Sequence, residues 1–289
     1  MLIRLGYEIE VTCEHAMPLV SLLEIHPERQ KDIKSRSAIQ TSPNIKGQAY
    51  KDLYGNLCRR FYVPTGDFRV RYDAVVEDCG EPEEVNPLAR QTRVEHLPPD
   101  VICYLLGSRY CETDHLSDLA WSLFGNVPEG WARVQAICDY VHNRLSFGYG
   151  YARSTRTAAQ AHDERVGVCR DFAHLAITFC RCMNIPARYV NGYLGDIGVP
   201  ADPAPMDFSA WFEAYLDGKW YTFDARHNIP RIGRVVIARG RDATDVPLLH
   251  TFGSHKLKLF KVWTHEDRGV PDLGRRLRID RTQSAQILA

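Results

Sequence analysis

The chain lacks a net charge, since its 36 Lys and Arg balance 36 Asp and Glu. With no overall field to draw in nucleic acid or an anionic membrane surface, neither is expected as a partner. No apolar run approaches the roughly 18 residues that a membrane span requires. The most apolar stretches, such as Val101 to Leu106, are far shorter. Near the start, Glu8 and Glu10 interrupt the place where a secretory signal would carry its continuous apolar segment, so no export signal is expected. Internal repeats and low-complexity tracts are also missing. The nine cysteines (13, 58, 79, 103, 111, 138, 169, 180 and 182) are odd in number and follow no framework spacing. The one tight pair, Cys180 and Cys182, has no CxxC or HxxxH companion. Disulfides and structural zinc are therefore not expected, and a reducing cytoplasm fits such thiols best. What remains is the composition of an ordinary folded protein, 45 % hydrophobic and 25 % charged. Its length suits roughly two domains.

Residues 1–95 carry strand signals: short alternating runs such as Tyr7 to Thr12 and Phe68 to Tyr72, with a hairpin turn at Tyr54-Gly55-Asn56-Leu57. This predicts an antiparallel β-sandwich domain. From Glu81 to Pro99 the composition shifts to Glu, Pro and Asn, and four prolines block regular structure. A linker is expected there. Helical periodicity follows, in Leu116, Leu119, Ala120 and Leu123 and again in Val134, Ile137, Cys138 and Val141. A third helix begins at Cys169, with Phe172, Ala173, Ala176, Ile177, Cys180 and Met183 at three- and four-residue steps until Asn184 and Pro186 end it. Arg188 to Leu194 reads as a strand, and Asp217-Gly218 as the turn of a hairpin joining Ser209–Leu216 to Lys219–Asp224. Strands around Val235 to Ala238 and Leu257 to Trp263 close a second domain at 96–265. The remainder, 266–289, holds five Arg between 268 and 281 and reads as a solvated tail.

Cys169 stands where the first unpaired N–H groups of its helix point, beside Arg170, so its thiolate is expected to be stabilised by the positive helix end. The same N–H groups are oriented to receive an oxyanion. A small buried thiol with a packing role is the alternative.

The run Gly167-Val168-Cys169-Arg170-Asp171-Phe172-Ala173-His174-Leu175, followed by Asn184 to Leu194, Ala210 to Tyr215 and Trp220 to Asp224, resembles bacterial members of the transglutaminase-like superfamily of the cysteine-protease type. Tyr50 to Asn56 resembles the β-domain that precedes the core in such proteins. The likeness covers roughly residues 3 to 265. It implies an α+β fold: an N-terminal β-sandwich, then a papain-related transglutaminase-like core with helices packed on an antiparallel sheet. It further implies a Cys-His-Asp triad acting on peptide or protein amides through a thioester, without metal or other cofactor.

By that resemblance Asp224 holds the orienting position, but Ser209 stands where the family has histidine. A serine hydroxyl alone neither takes the thiol proton nor protonates a leaving amine. With a two-residue loop the hairpin partners sum to 435, so Trp211 lies opposite Asp224 and Ser209 opposite Arg226, all on one face. A histidine at 209 would be diagonal to Asp224, about 7–8 Å away between backbones. His227 is the candidate replacement. Strict alternation sends it to the other face, yet Asn228 and Pro230 mark the strand's end, where a bend can return it. His174 lies about 140° around the helix from Cys169 and belongs to packing, while His162 has only its place in the preceding loop. Tyr149, Tyr151, Trp211 and Trp220 are aromatics of core or cleft. Cys169, Asp224, His227 and Ser209 are thus the candidate catalytic residues of a thiol-dependent amide hydrolase or acyltransferase. The competing reading is a catalytically impaired peptide- or protein-binding module on the same fold. Substrate, acceptor and oligomeric state have no signal in the sequence.

Overall fold

The computed structural model describes residues 1–268. Most of the expected tail, from residue 269, lies outside the described residues. The fold is α+β, with sheets first and a helix-and-strand core after them.

Residues 1–77 contribute strands to two antiparallel sheets. In the first, His255–Glu266, Leu2–Cys13, Gly66–Glu77 and Ile33–Arg36 lie in that order, with Gln40–Ser42 also on Gly66–Glu77. In the second, Leu249–Thr251, Met17–Ser21, Leu57–Val63 and Gln48–Lys51 follow one another. Alternation decides which side chains go in: along Leu2–Cys13, Ile3, Leu5, Tyr7, Ile9 and Val11 are buried while Glu8 and Glu10 meet Arg69 across the ladder. Both sheets take their last strand from beyond residue 248, so segments that the sequence reading placed in the second domain return to the first.

The core sheet has the order Lys219–Phe223, Ser209–Leu216, Ala187–Tyr193, Val235–Gly240, all antiparallel. Four α-helices accompany it: α1 (Thr113–Phe124), α2 (Trp131–Arg144), α3 (Ala158–Glu164) and α4 (Cys169–Cys182). Helix α4 is buried on every side from Asp171 to Cys182, rather than along one stripe. Two of its polar members find backbone carbonyls. Thr178 donates to the His174 carbonyl at 2.7 Å, and Arg181 donates to the carbonyls of Ala187, Leu106 and Arg241. The helix ends as the sequence predicts, with Asn184 left-handed at φ 59°. The N–H groups of Asn184 and Ile185 close onto the carbonyls of Arg181 and Cys180.

The hairpin also follows prediction: Asp217 and Gly218 both have positive φ, and Phe212 pairs with Phe223 in the expected register. The proline-rich stretch is laid against the core rather than hanging free. Its Arg90 carbonyl accepts the Asp217 N–H while the Arg90 N–H donates to the Asp217 carboxylate, and Ala89 accepts from the N–H of Trp131. On the far edge of the core sheet the side-chain amide of Asn56 pairs with the backbone of Arg239 through both its groups, at 2.7 and 2.8 Å.

Candidate active site

Helix α4 starts without a side-chain cap from Val168; instead Asp171 folds back and accepts the Val168 N–H at 2.9 Å. Gly167 makes this fit, since a Cβ there would sit 2.7 Å from the Cβ of Asp171. Arg156 holds the same carboxylate at 3.1 Å. The first residue of the helix, Cys169, is partly exposed and packs against the main apolar core.

Its electrostatics differ from expectation. Burial pushes the Cys169 thiol above its ordinary pKa, outweighing the Arg226 charge and the Ala210 N–H that favour the thiolate, while the carboxylates of Asp207 and Asp224 add to the rise. Arg170, expected to help, points elsewhere: its guanidinium donates to the Arg153 carbonyl and lies over Tyr110. The arginine that acts on the sulfur comes from the far end of the core hairpin.

There the regular ladder stops at Phe223, and Asp224 begins a turn. Its Oδ1 accepts the N–H groups of Arg226 and His227 at 2.9 and 3.2 Å, the local capping expected of a strand-end aspartate. The turn brings the imidazole back over its own chain, so that His227 Nδ1 meets Asp224 Oδ2 at 2.7 Å. Strict alternation would have kept them apart. Asn228, left-handed at φ 53°, fixes the bend by donating to Asp139 and accepting from Gln135, both on α2. His142 of the same helix contacts the Arg226 carbonyl at 2.9 Å.

Asp224 is buried. Burial alone would raise its pKa, but Arg234 at 2.6 Å and His227 together hold the carboxyl far below the usual carboxylate range. Arg234 lies over the ring of Trp211 and pairs in turn with Glu83 from the proline-rich stretch. No sequence signal announces Arg234 or Glu83 beyond the general rule that a buried arginine needs a carboxylate.

Ser209 opens the strand Ser209–Leu216, opposite Gly192. It is buried, and its hydroxyl has no hydrogen-bond partner among the described residues. It lines a cleft together with His227, Arg226, Asp207 and Tyr149. Trp211 and Trp220 do not line it: Trp211 is buried under Arg234, and Trp220 is covered by Arg188 at 4.1 Å. His162 is held by Tyr140 at 2.9 Å, and His174 is fully buried beneath Tyr110 and Tyr189. Among the described residues no group of three or more His, Cys, Asp or Glu is placed to hold a metal ion, and no helix is long and apolar enough to cross a membrane.

The sequence profile of the transglutaminase-like superfamily matches residues 118–225, a span that includes Cys169 and Asp224 and stops just before Arg226 and His227. An uncharacterized protein of Mycobacterium leprae is 31 % identical over 228 residues, 75 % of this chain and 79 % of its own. One of Mycobacterium tuberculosis is 25 % identical over 255 residues, 76 % of each chain. A crystal structure from Cytophaga hutchinsonii, described as that of a candidate cysteine protease, superposes with a TM-score of 0.78 at 30 % identity, covering 92 % of this chain and 90 % of that one. With its helix-and-strand core matched over nearly the whole length of a solved relative, the chain belongs to the transglutaminase-like superfamily.

Proposed function

We propose that the chain is a thiol-dependent amide hydrolase or acyltransferase acting on peptide or protein amides. The observation that carries this reading is the 2.7 Å contact of Asp224 with Nδ1 of His227, a residue of the cleft wall, which leaves Nε2 as the imidazole's second nitrogen. Because burial raises the Cys169 thiol, the sulfur rests as a thiol. As Sγ attacks the carbonyl carbon, His227 takes the thiol proton and the carbonyl electrons move onto oxygen, toward the N–H groups at the head of α4. The C–N bond then breaks, the imidazolium protonates the departing amine, and a thioester remains. Water, deprotonated by His227, releases the acid; an amine in its place yields a new amide. Hydrolysis is the default outcome. Ser209, with a hydroxyl that no protein group satisfies, is a donor toward bound substrate.

The two N-terminal sheets are read as a β-sandwich domain, and the cytoplasm as the compartment, in keeping with nine free thiols. Serine at 209 favours a second reading, a peptide-binding module with an idle thiol. Turnover of a panel of peptide amides by the wild-type protein, Cys169→Ala and His227→Ala separates the two. The enzyme reading expects no turnover from Cys169→Ala and a fall of about 10²- to 10⁴-fold from His227→Ala. Peptide binding without any turnover by the wild-type protein establishes the module, and full activity in His227→Ala removes that residue from the chemistry.

A further inference from the structure

The guanidinium groups around the cleft are unequally committed. Arg231 donates to the Gly195 carbonyl at 3.0 Å. Arg170 is spent on the Arg153 carbonyl and on Asp171, and Arg234 on Asp224 and Glu83. Arg226 differs from all three. Among the described residues its guanidinium forms no ion pair and no hydrogen bond; only its backbone is so engaged, the N–H with Asp224 and the carbonyl with His142. Its position is nevertheless fixed, because the guanidinium carbon lies 3.6 Å from the centre of the Phe147 ring. It is partly exposed and lines the same cleft as Ser209, His227 and Tyr149. Among the charged groups that favour the thiolate of Cys169, it has the largest effect.

A planar cation with unused donors, stacked on an aromatic face at a cleft wall, suits a carboxylate ligand, which accepts two parallel N–H bonds from it. We propose that Arg226 anchors a carboxylate of the substrate beside the reacting carbonyl, so that the site selects acidic amides: those bearing a carboxylate one or two bonds from the carbon that Cys169 attacks. This deepens the catalytic reading of Cys169 and rests on it. The acid nearest to competing for the guanidinium is Asp207, on the same cleft. Burial lifts its pKa to about 7, so near neutrality it carries less than a full charge and leaves the guanidinium attractive to an incoming anion.

The test needs no natural substrate. Iodoacetate and iodoacetamide alkylate a thiol by the same displacement: sulfur forms a bond to the methylene carbon as iodide leaves. They differ in that iodoacetate carries a carboxylate one bond from that carbon. Second-order rates of Cys169 labelling by each reagent, read from the mass of the Cys169 peptide, give a ratio from which the thiolate fraction cancels. That cancellation matters, because Arg226 also affects the thiol's ionisation. In the wild-type protein at pH 7 the iodoacetate to iodoacetamide ratio should exceed that of a small free thiol. In Arg226→Gln it should fall about tenfold, and in Arg226→Lys, which keeps the charge but not the planar fork, it should stand between. Equal ratios in the wild-type protein and Arg226→Gln, with Cys169 labelled by both reagents, overturn the carboxylate anchor while leaving the nucleophile in place. Labelling of Cys169 by neither reagent overturns the nucleophile reading itself. If Arg226→Gln does not fold, Arg226→Lys against the wild-type protein decides the question.

Discussion

Two imidazoles, those of His174 and His227, sit in surroundings that make opposite use of them. His174, on the same helix as Cys169, is fully buried, stacked 5.0 Å from the ring of Tyr110, and accepts the Ala243 N–H at 3.1 Å. Burial, aided by the charges of Arg170 and Arg181, lowers its pKa to about 3 against the pull of Asp242. It is therefore neutral at any working pH. His227, fifty-eight positions away from Cys169 by number, is partly exposed and hydrogen-bonded to an ionised carboxylate. Nearness in sequence gives His174 no chemical role. His227, with a carboxylate on Nδ1 and a place on the cleft wall, is the proton carrier of the mechanism proposed above.

Replacing both residues breaks this comparison most sharply. His227→Ala should lose most of the turnover, as stated above, while leaving the unfolding temperature nearly unchanged, because the side chain is partly exposed. His174→Ala should do the reverse. It removes a stacked, fully buried ring and is expected to cost about 2–4 kcal/mol in urea unfolding, with turnover per folded molecule retained. Loss of turnover without loss of stability in His174→Ala would void the distinction.

Acid sharpens it further. The folded pKa of His174 lies below its ordinary 6.5, so between about pH 6.5 and 3 the unfolded chain binds a proton that the folded chain does not. Stability must fall as pH drops through that window, by up to about 4 kcal/mol. His174→Gln, which keeps an acceptor for Ala243, should flatten this part of the curve; an unchanged acid limb would count against a buried neutral His174. Asp224 works on a lower range, since its depressed pKa gives stability that is present above the unfolded carboxylate value and is lost only in stronger acid.

The smallest effect belongs to the support behind His227. Glu83→Gln removes the charge that pairs with Arg234 but keeps an acceptor. A loss of about 1 kcal/mol in thermal unfolding is expected, with turnover changed less than about tenfold. A loss of turnover as large as that of His227→Ala would show that Glu83 acts on the chemistry directly.

Much of the site's scaffold was legible in the sequence because it depends on short-range rules. The course and end of α4 follow from spacing, Asn184 and Pro186, and the register of the hairpin follows from Asp217-Gly218. The approach of His227 to Asp224 was open to sequence reasoning only as a bend after the strand, signalled by Asn228 and Pro230. What stayed hidden involves distant partners. The ionisation of Cys169 was expected to follow its helix end, but desolvation by burial raises the thiol instead. Arg234 and Glu83 are separated by more than half the chain, and no periodicity links them. Likewise the return of His255–Glu266 to Leu2–Cys13 depends on a sheet edge that only the assembled fold creates.

The Asn56 side chain, placed against Arg239, behaves as a one-residue counterfeit strand. The strand Val235–Gly240 is the last in its sheet, and an edge strand leaves ladder groups that need partners. By supplying one donor and one acceptor, the amide meets that need. Arg239 thereby completes its backbone hydrogen bonding on a loop of the N-terminal sheets rather than on a fifth strand.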